Sequence, residues 1–226
     1  MSNTNCFIGP LIILGAGPQQ VPVYEIAKRL GIKTLAVDNN PDAEARYYSD
    51  MFVLANIKDS DECIRELDEI GLKFSGVITC GVEVSPQVSQ IASHFGLKGV
   101  SEDVAIKTTH KGFRLQALSN ANIPIPEFTR LNQAKVPNLA FPFVIKPSDS
   151  SGSRGVQLVN NREEFHRAFF EAKTISSDEE VIAESFETGT EISIEGFLLN
   201  GHMTVTGLAE RRFYPIEETF PYFIEY

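Results

Sequence analysis

Over its first hundred residues the chain alternates short apolar runs with stretches whose apolar positions recur at helical spacing. The runs are Leu11-Ile12-Ile13-Leu14, Thr34-Leu35-Ala36-Val37, Met51-Phe52-Val53-Leu54 and Gly76-Val77-Ile78-Thr79. Continuous apolar runs of this length read as parallel strands buried on both faces. After the first run Gly15-Ala16-Gly17-Pro18 turns the chain. Val23, Ile26, Ala27 and Leu30 then mark a helix that Gly31 is placed to end. A second helix is predicted from about Asp59, where Asp59 and Glu62 have capping-box spacing and Cys63, Leu67 and Ile70 share a face. Val88, Ile91, Ala92 and Phe95 mark a third. Such alternation predicts an open parallel sheet with helices on both faces, occupying residues 1–100.

The pattern changes after Ser101. Two short helices are expected on either side of His110, then an extended connector, Ile123-Pro124-Ile125-Pro126, because residues before proline avoid the helical region. The stretch 101–135 therefore reads as a helical linker. From 136 to 199 the chain is strand-rich. Phe143-Val144-Ile145-Lys146 leads into a serine- and glycine-rich loop, and Val156-Gln157-Leu158-Val159 leads out. A helix opens at Asn161, with Glu164 at capping-box spacing and Phe165, Ala168, Phe169 and Ala172 on one stripe. Val181-Ile182-Ala183-Glu184 is a strand. Alternation from Glu191 to Leu199, then Asn200-Gly201, then Met203-Thr204-Val205-Thr206, is a strong hairpin signal.

Composition narrows the partners. Of 226 residues 42% are hydrophobic and 22% charged, as in an ordinary globular protein, and the formal charge of −10 disfavours nucleic acid or an anionic membrane. Cys6, Cys63 and Cys80 are sparse and unpaired in spacing, which reads as a reduced, cytoplasmic chain. No signal peptide or membrane span is legible. His94, His110, His166 and His202 never reach metal-ligand spacing.

Two loops carry candidate chemistry. Gly15 and Gly17 follow a strand and precede a helix, and Asp38 lies about twenty residues on, where a dinucleotide fold places its ribose-binding acid. The third glycine of that fingerprint is absent, since Gln20 holds its place. A tight strand-to-helix turn accounts for the same residues; in either case the helix N-terminus can hold an anion. The second loop, 148–155, holds two glycines and four serines, with Lys146 before it and Arg154 within it adding positive charge, a composition suited to a polyphosphate and equally to a mobile hairpin tip. Beyond it, in Glu184-Ser185-Phe186-Glu187-Thr188-Gly189-Thr190-Glu191, a carboxylate can accept from ribose hydroxyls and the backbone can read an adenine edge. A solvated strand face explains those acids as well.

Taken in order, these segments are more specific. Lys111 before an amphipathic helix, the Ile-Pro-Ile-Pro connector, Phe141-Pro142-Phe143-Val144-Ile145-Lys146-Pro147, the Ser151-Gly152-Ser153-Arg154-Gly155 loop and the acidic segment 184–191 resemble the ATP-grasp superfamily. The opening Leu14-Gly15-Ala16-Gly17-Pro18-Gln19-Gln20 and Val37-Asp38-Asn39-Asn40-Pro41 resemble the preceding domain of its carbamoyl-phosphate-synthase-like and biotin-carboxylase-like branch. The resemblance implies a Rossmann-like domain, then an ATP-grasp lid subdomain at 136–199, then the start of a C-terminal subdomain at 200–226.

It also implies roles. Lys111 and Lys146 match the lysines that contact ATP phosphates, and Ser151, Gly152, Ser153 and Gly155 the loop that closes over them. Glu184, Phe186 and Glu187 match the adenine-reading linker, Glu191 the ribose acid, and Arg211 or Arg212 a further phosphate contact. Gly15 and Gly17 are the candidate substrate or anion site. His110 stands where an aspartate commonly precedes the first lysine. The implied reaction is ATP-dependent joining of a small carboxylate to an amine or ammonia through an acyl phosphate, with magnesium. The magnesium ligands are expected beyond residue 226, so the chain reads as incomplete on its own. The apolar ending Phe220-Pro221-Tyr222-Phe223-Ile224-Glu225-Tyr226 suggests an edge that pairs with a second copy or a complementing subunit. Two other readings stay open: an NAD-dependent oxidoreductase using Gly15, Gly17 and Asp38, and a non-catalytic nucleotide-binding or assembly subunit.

Overall fold

The computed structural model describes residues 9–213 and the pair Ile224–Glu225. The chain forms two compact units, Met1–Phe113 and Arg114–Tyr226. Most of the apolar ending read from the sequence, 220–223 and Tyr226, lies outside the described residues.

The first unit is built on four parallel strands, β1 (Leu11–Leu14), β2 (Thr34–Asp38), β3 (Met51–Leu54) and β4 (Gly76–Thr79), in the order β3-β2-β1-β4. Their side chains alternate between faces, and both faces are buried. Ile12, Leu14, Leu35 and Val37 pack with Cys63 and Leu67 of α2 (Ser60–Ile70) and with Ile91 and Ala92 of α3 (Ser85–His94). Ile13 and Ala36 pack on the other face with Tyr24 of α1 (Val21–Arg29). That two-sided burial is why the strands read as unbroken apolar runs.

Local chemistry sets the helix ends. Asp59 accepts the Glu62 amide at 3.0 Å to start α2, and Gly71 in the left-handed region ends it. α1 departs from expectation: Tyr24 and Ala27 face the sheet, while Ile26 and Leu30 are 46% and 60% exposed. Tyr24 wins the inner position because its hydroxyl donates to the Gly15 carbonyl at 2.8 Å, which satisfies the polar end of a wholly buried ring. Burial also raises the Tyr24 phenol above the usual tyrosine range, with the Asp38 charge adding to it.

Two helices follow, α4 (Glu102–Thr109) and α5 (Lys111–Asn120), the latter crossing the boundary between units. The second unit then holds an antiparallel sheet of β5 (Phe128–Leu131), β6 (Phe143–Pro147), β7 (Gln157–Val159) and β8 (Val181–Ser185), ordered β5-β8-β6-β7. β5 lies in the stretch read from sequence as a helical linker. Its pairing with β8 supplies the partner that a four-residue segment cannot reveal by itself. Phe143, Ile145, Val181, Ala183 and Leu131 bury against Phe165, Ala168, Phe169 and Ala172 of α6 (Arg162–Ile175). This is the apolar stripe legible in the sequence.

β9 (Glu191–Leu199) and β10 (His202–Phe213) form the expected hairpin, with β11 (Ile224–Glu225) on the far side of β10. Asn200 and Gly201, at φ +52° and +80°, make the two-residue turn. Ile192, Ile194, Leu198, Met203, Val205 and Leu208 share one face of the hairpin by register and are all more than half exposed.

Candidate functional site

The face of the second sheet turned away from α6 gathers the chemistry. Phe143, Ile145, Val181 and Ala183 point toward the helix, so Val144, Lys146, Ile182 and Glu184 point the other way. Lys146 stands opposite Ile182 and Glu184 opposite Val144. The two charged residues are therefore diagonal neighbours, and Lys146 Nζ lies 2.6 Å from Glu184 Oε2. Their side chains are 16% and 18% exposed. At that burial the pair sits in a weakly screened medium, and removing either partner would strand the other's charge. Glu184 Oε2 is buried and receives no aligned hydrogen bond; the lysine's charge is what offsets its desolvation.

Arg130 on β5 forms a second ion pair nearby in the same sheet. Its Nε and Nη2 hold the Glu180 carboxylate in a two-pronged grip, at 2.8 Å to Oε1 and 2.7 Å to Oε2. The Glu180 hydrogen bond, opposed by desolvation, raises the Arg130 guanidinium further above its ordinary value.

The serine-glycine loop leaves β6 directly after Lys146 and Pro147. Gly152 and Ser153, at φ +62° and +57°, turn its tip, and a Cβ at Gly152 would meet nothing within 4 Å. Gly155 differs: a Cβ there would fall 2.7 Å from Ile175 Cδ1 and 2.9 Å from Pro147 Cγ. Ser151 is half-buried, while Gly152, Ser153 and Arg154 are exposed. Of the acidic segment, Phe186 and Glu187 are exposed just past β8, with Glu187 accepting the Ser185 hydroxyl at 2.8 Å. Glu191 opens β9 and pairs with Arg211 directly across the hairpin. Arg212 Nε lies 3.5 Å from Glu210 at exposed positions.

The structure thus joins Lys146 to Glu184 in one sheet and Glu191 to Arg211 in the hairpin. In the first unit, Lys111 begins α5 immediately after His110. His110 Nδ1 accepts the Phe113 amide at 3.2 Å and its ring packs on Phe113, so the imidazole caps the helix as an aspartate would. That explains the departure at this position.

The loop after β1 is closed rather than open. Gly15, at φ +102°, needs glycine, and the Gln20 side chain fills the space beneath it while donating to the Cys80 carbonyl at 2.8 Å. A Cβ at Gly17 would stand 3.0 Å from Gln20 Oε1. Asp38 accepts the Ala16 amide at 2.7 Å and the Asn40 amide at 2.9 Å. Both its oxygens serve the turn, so the residues of the dinucleotide reading act as architecture. Sequence reasoning missed the Arg130–Glu180 pair and a hydroxyl–carboxylate cluster beneath the loop, because their partners are 27 to 50 residues apart.

Comparison with known proteins fits this geometry. Residues 139–223 match the model of the ATP-grasp domain. An N5-carboxyaminoimidazole ribonucleotide synthase of Staphylococcus haemolyticus is 25% identical over 217 residues, covering 91% of this chain and 53% of that protein. The chain is thus similar to members of the ATP-grasp superfamily. A D-alanine–D-alanine ligase of Petrotoga mobilis is 28% identical over 118 residues, 52% of this chain and 38% of the ligase. In fold, the chain superposes on N5-carboxyaminoimidazole synthetase from Staphylococcus aureus complexed with ADP. The TM-score is 0.75 at 20% identity, covering 92% of this chain and 56% of that one. The chain spans about half the length of the relatives it matches. Among the described residues, no helix is long and apolar enough to cross a membrane.

Proposed function

We propose that this chain is the ATP-binding portion of an ATP-dependent ligase that joins a carboxylate to an amine or ammonia, in the manner of the carbamoyl-phosphate-synthase-like and biotin-carboxylase-like branch. The observation that carries the reading is the Lys146–Glu184 pair on the sheet face turned away from α6, at the root of a loop with an open Gly152 tip. A lysine and a carboxylate 2.6 Å apart offer a cation for phosphate oxygens and an acceptor for the adenine amino group. In this reading Lys146 and Lys111 neutralise phosphate charge, and Ser151, Gly152, Ser153 and Gly155 cover the triphosphate. Glu184, Phe186 and Glu187 hold the adenine, Glu191 the ribose, and Gly15 and Gly17 border the substrate or anion site.

The chemistry asks for positioning and charge neutralisation rather than a protein nucleophile. A carboxylate oxygen attacks the γ-phosphorus as its bond to the bridging oxygen of ADP breaks. The amine then attacks the acyl carbon, phosphate leaves with the C–O electron pair, and a proton is released from nitrogen. Magnesium bound to the triphosphate would supply further charge neutralisation; no residue of this chain is assigned to hold it.

Calorimetric titration of ATP and of NAD into the purified chain tests the assignment. ATP should bind, and Lys146→Ala should weaken it at least tenfold, with the thermal transition showing that the variant is folded. Unchanged ATP affinity in Lys146→Ala removes the role; NAD binding lost in Asp38→Ala would favour the oxidoreductase instead. The exposed apolar face of the β9–β10 hairpin supports a further reading, assembly with a second copy or a complementing subunit. Concentration-dependent sedimentation tests that reading, and a monomer at all concentrations argues against the second copy.

A further inference from the structure

The serine-glycine loop is tethered at both ends to the same place, the C-terminal end of α6. At its entry Ser148 is wholly buried, and its hydroxyl lies 2.7 Å from Asp178 Oδ1 and 2.9 Å from the Ser176 hydroxyl. Asp178 Oδ1 also takes the Glu180 amide at 2.9 Å, closing an Asx turn in which Glu179 has φ +59°. The Ser148 amide donates to the Glu180 carbonyl at 3.2 Å. One residue on, Asp149 accepts the Ser177 amide at 3.2 Å, the Ser177 hydroxyl, and the Ser176 hydroxyl at 3.1 Å. At the exit Gly155 fits against Ile175 and Pro147 with no room for a methyl group.

We propose that Ser148, Asp149, Ser176 and Asp178 are positioning residues that restrict movement of the loop to 150–154. They act through the loop and need touch no ligand themselves. The physical reason is the contrast between the two ends and the tip. The ends combine the buried, multiply bonded hydroxyls of Ser148 and Ser176 with the carboxylates of half-buried Asp149 and exposed Asp178 and a close backbone contact. The tip has exposed Gly152, Ser153 and Arg154 in a left-handed turn with open space beside it. A short lid on fixed roots loses less conformational entropy on closing than a whole free hairpin would. What the lid closes on rests on the ATP reading above; the anchoring does not.

Limited trypsin digestion at Arg154 tests both parts separately. A protease needs more extended chain than the tip offers, so cleavage there waits on an anchor opening and follows that equilibrium. Ser148→Ala, without nucleotide, should be cut after Arg154 about tenfold faster, the effect of losing roughly one buried hydrogen bond. Ser148→Thr, which keeps the hydroxyl, should restore the slow rate, whereas a generally destabilised fold would not single out this bond. Equal cleavage in wild type and Ser148→Ala overturns the proposal.

Hydrogen exchange on the unsubstituted chain gives a second measure if Ser148→Ala fails to fold. The Ser177 and Glu180 amides should exchange with the sheet, and those of Gly152 and Ser153 far faster. Ser177 exchanging as fast as the tip also overturns the anchoring. Added ATP should slow wild-type cleavage. If it does not, while Ser148→Ala still accelerates it, the ATP reading fails and the anchor stands.

Discussion

Gly155 and Gly152 both occupy the left-handed region, yet a methyl group should cost very different amounts at the two. For each, placing an L-alanine at φ +72° or +62° costs roughly 1–2 kcal/mol of backbone strain. At Gly152 nothing further is added, because no heavy atom stands within 4 Å of the new Cβ. At Gly155 the methyl meets Ile175 Cδ1 at 2.7 Å and the Pro147 ring at 2.9 and 3.2 Å. Ile175 is a flexible tip that can swing away. Pro147 is buried at the end of β6 with its ring locked to the backbone, and forcing such a contact typically adds about 1–3 kcal/mol. Gly155→Ala should therefore lose about 2–5 kcal/mol and Gly152→Ala about 1–2 kcal/mol. Urea unfolding followed by far-ultraviolet circular dichroism reads the difference. At a slope near 2 kcal/mol per molar, a 2 kcal/mol gap separates the midpoints by about 1 M. If the two midpoints coincide, the close packing of the loop exit against α6 is wrong.

Two smaller predictions follow from the same kind of reasoning. Burial, with help from Glu62 and Asp59, pushes the Cys63 thiol up to about 11, whereas Cys80 is exposed. Iodoacetamide at pH 8 should therefore label the peptide containing Cys80 and leave Cys63 unmodified until denaturant is added; mass spectrometry that finds Cys63 labelled in the native chain contradicts this. At the start of α6, Glu164 accepts the Asn160 amide at 2.8 Å and the Asn160 and Asn161 side-chain amides, which hold its carboxyl below the usual glutamate range. A lowered carboxyl contributes stability above its unfolded pKa, near 4.3, and loses it as pH falls through the lower folded value. Glu164→Gln should thus melt below wild type at pH 7, with the gap shrinking as pH drops below about 4; a gap that stays constant into acid would show that the charge plays no part.

Much of this molecule is legible without coordinates because many of its determinants are local. Burial on two faces makes β1 to β4 unbroken apolar runs, and a one-sided core makes Phe165, Ala168, Phe169 and Ala172 a single stripe. Capping at Asp59 and Asn161 and the turn at Asn200-Gly201 involve neighbours a few residues apart, so each leaves a motif. The order of lysines, serine-glycine loop and acids carries the family likeness for the same reason. The amino-acid order alone therefore determined the alternating first unit, the strand-rich second, and which residues to weigh as candidates.

What those candidates do to one another depended on pairing across long separations. Strand register sets Lys146 diagonal to Glu184 and Arg211 opposite Glu191. Only the folded chain brings Ser148 to Asp178, thirty residues away. Only packing shows that Tyr24 rather than Ile26 faces the sheet, and that Asp38 and Gln20 close their own turn. The physical reason is that a side chain's partner, burial and residual charge come from elements that approach through space. Local sequence limits which residues can make such a contact; the tertiary structure selects the contact that is made.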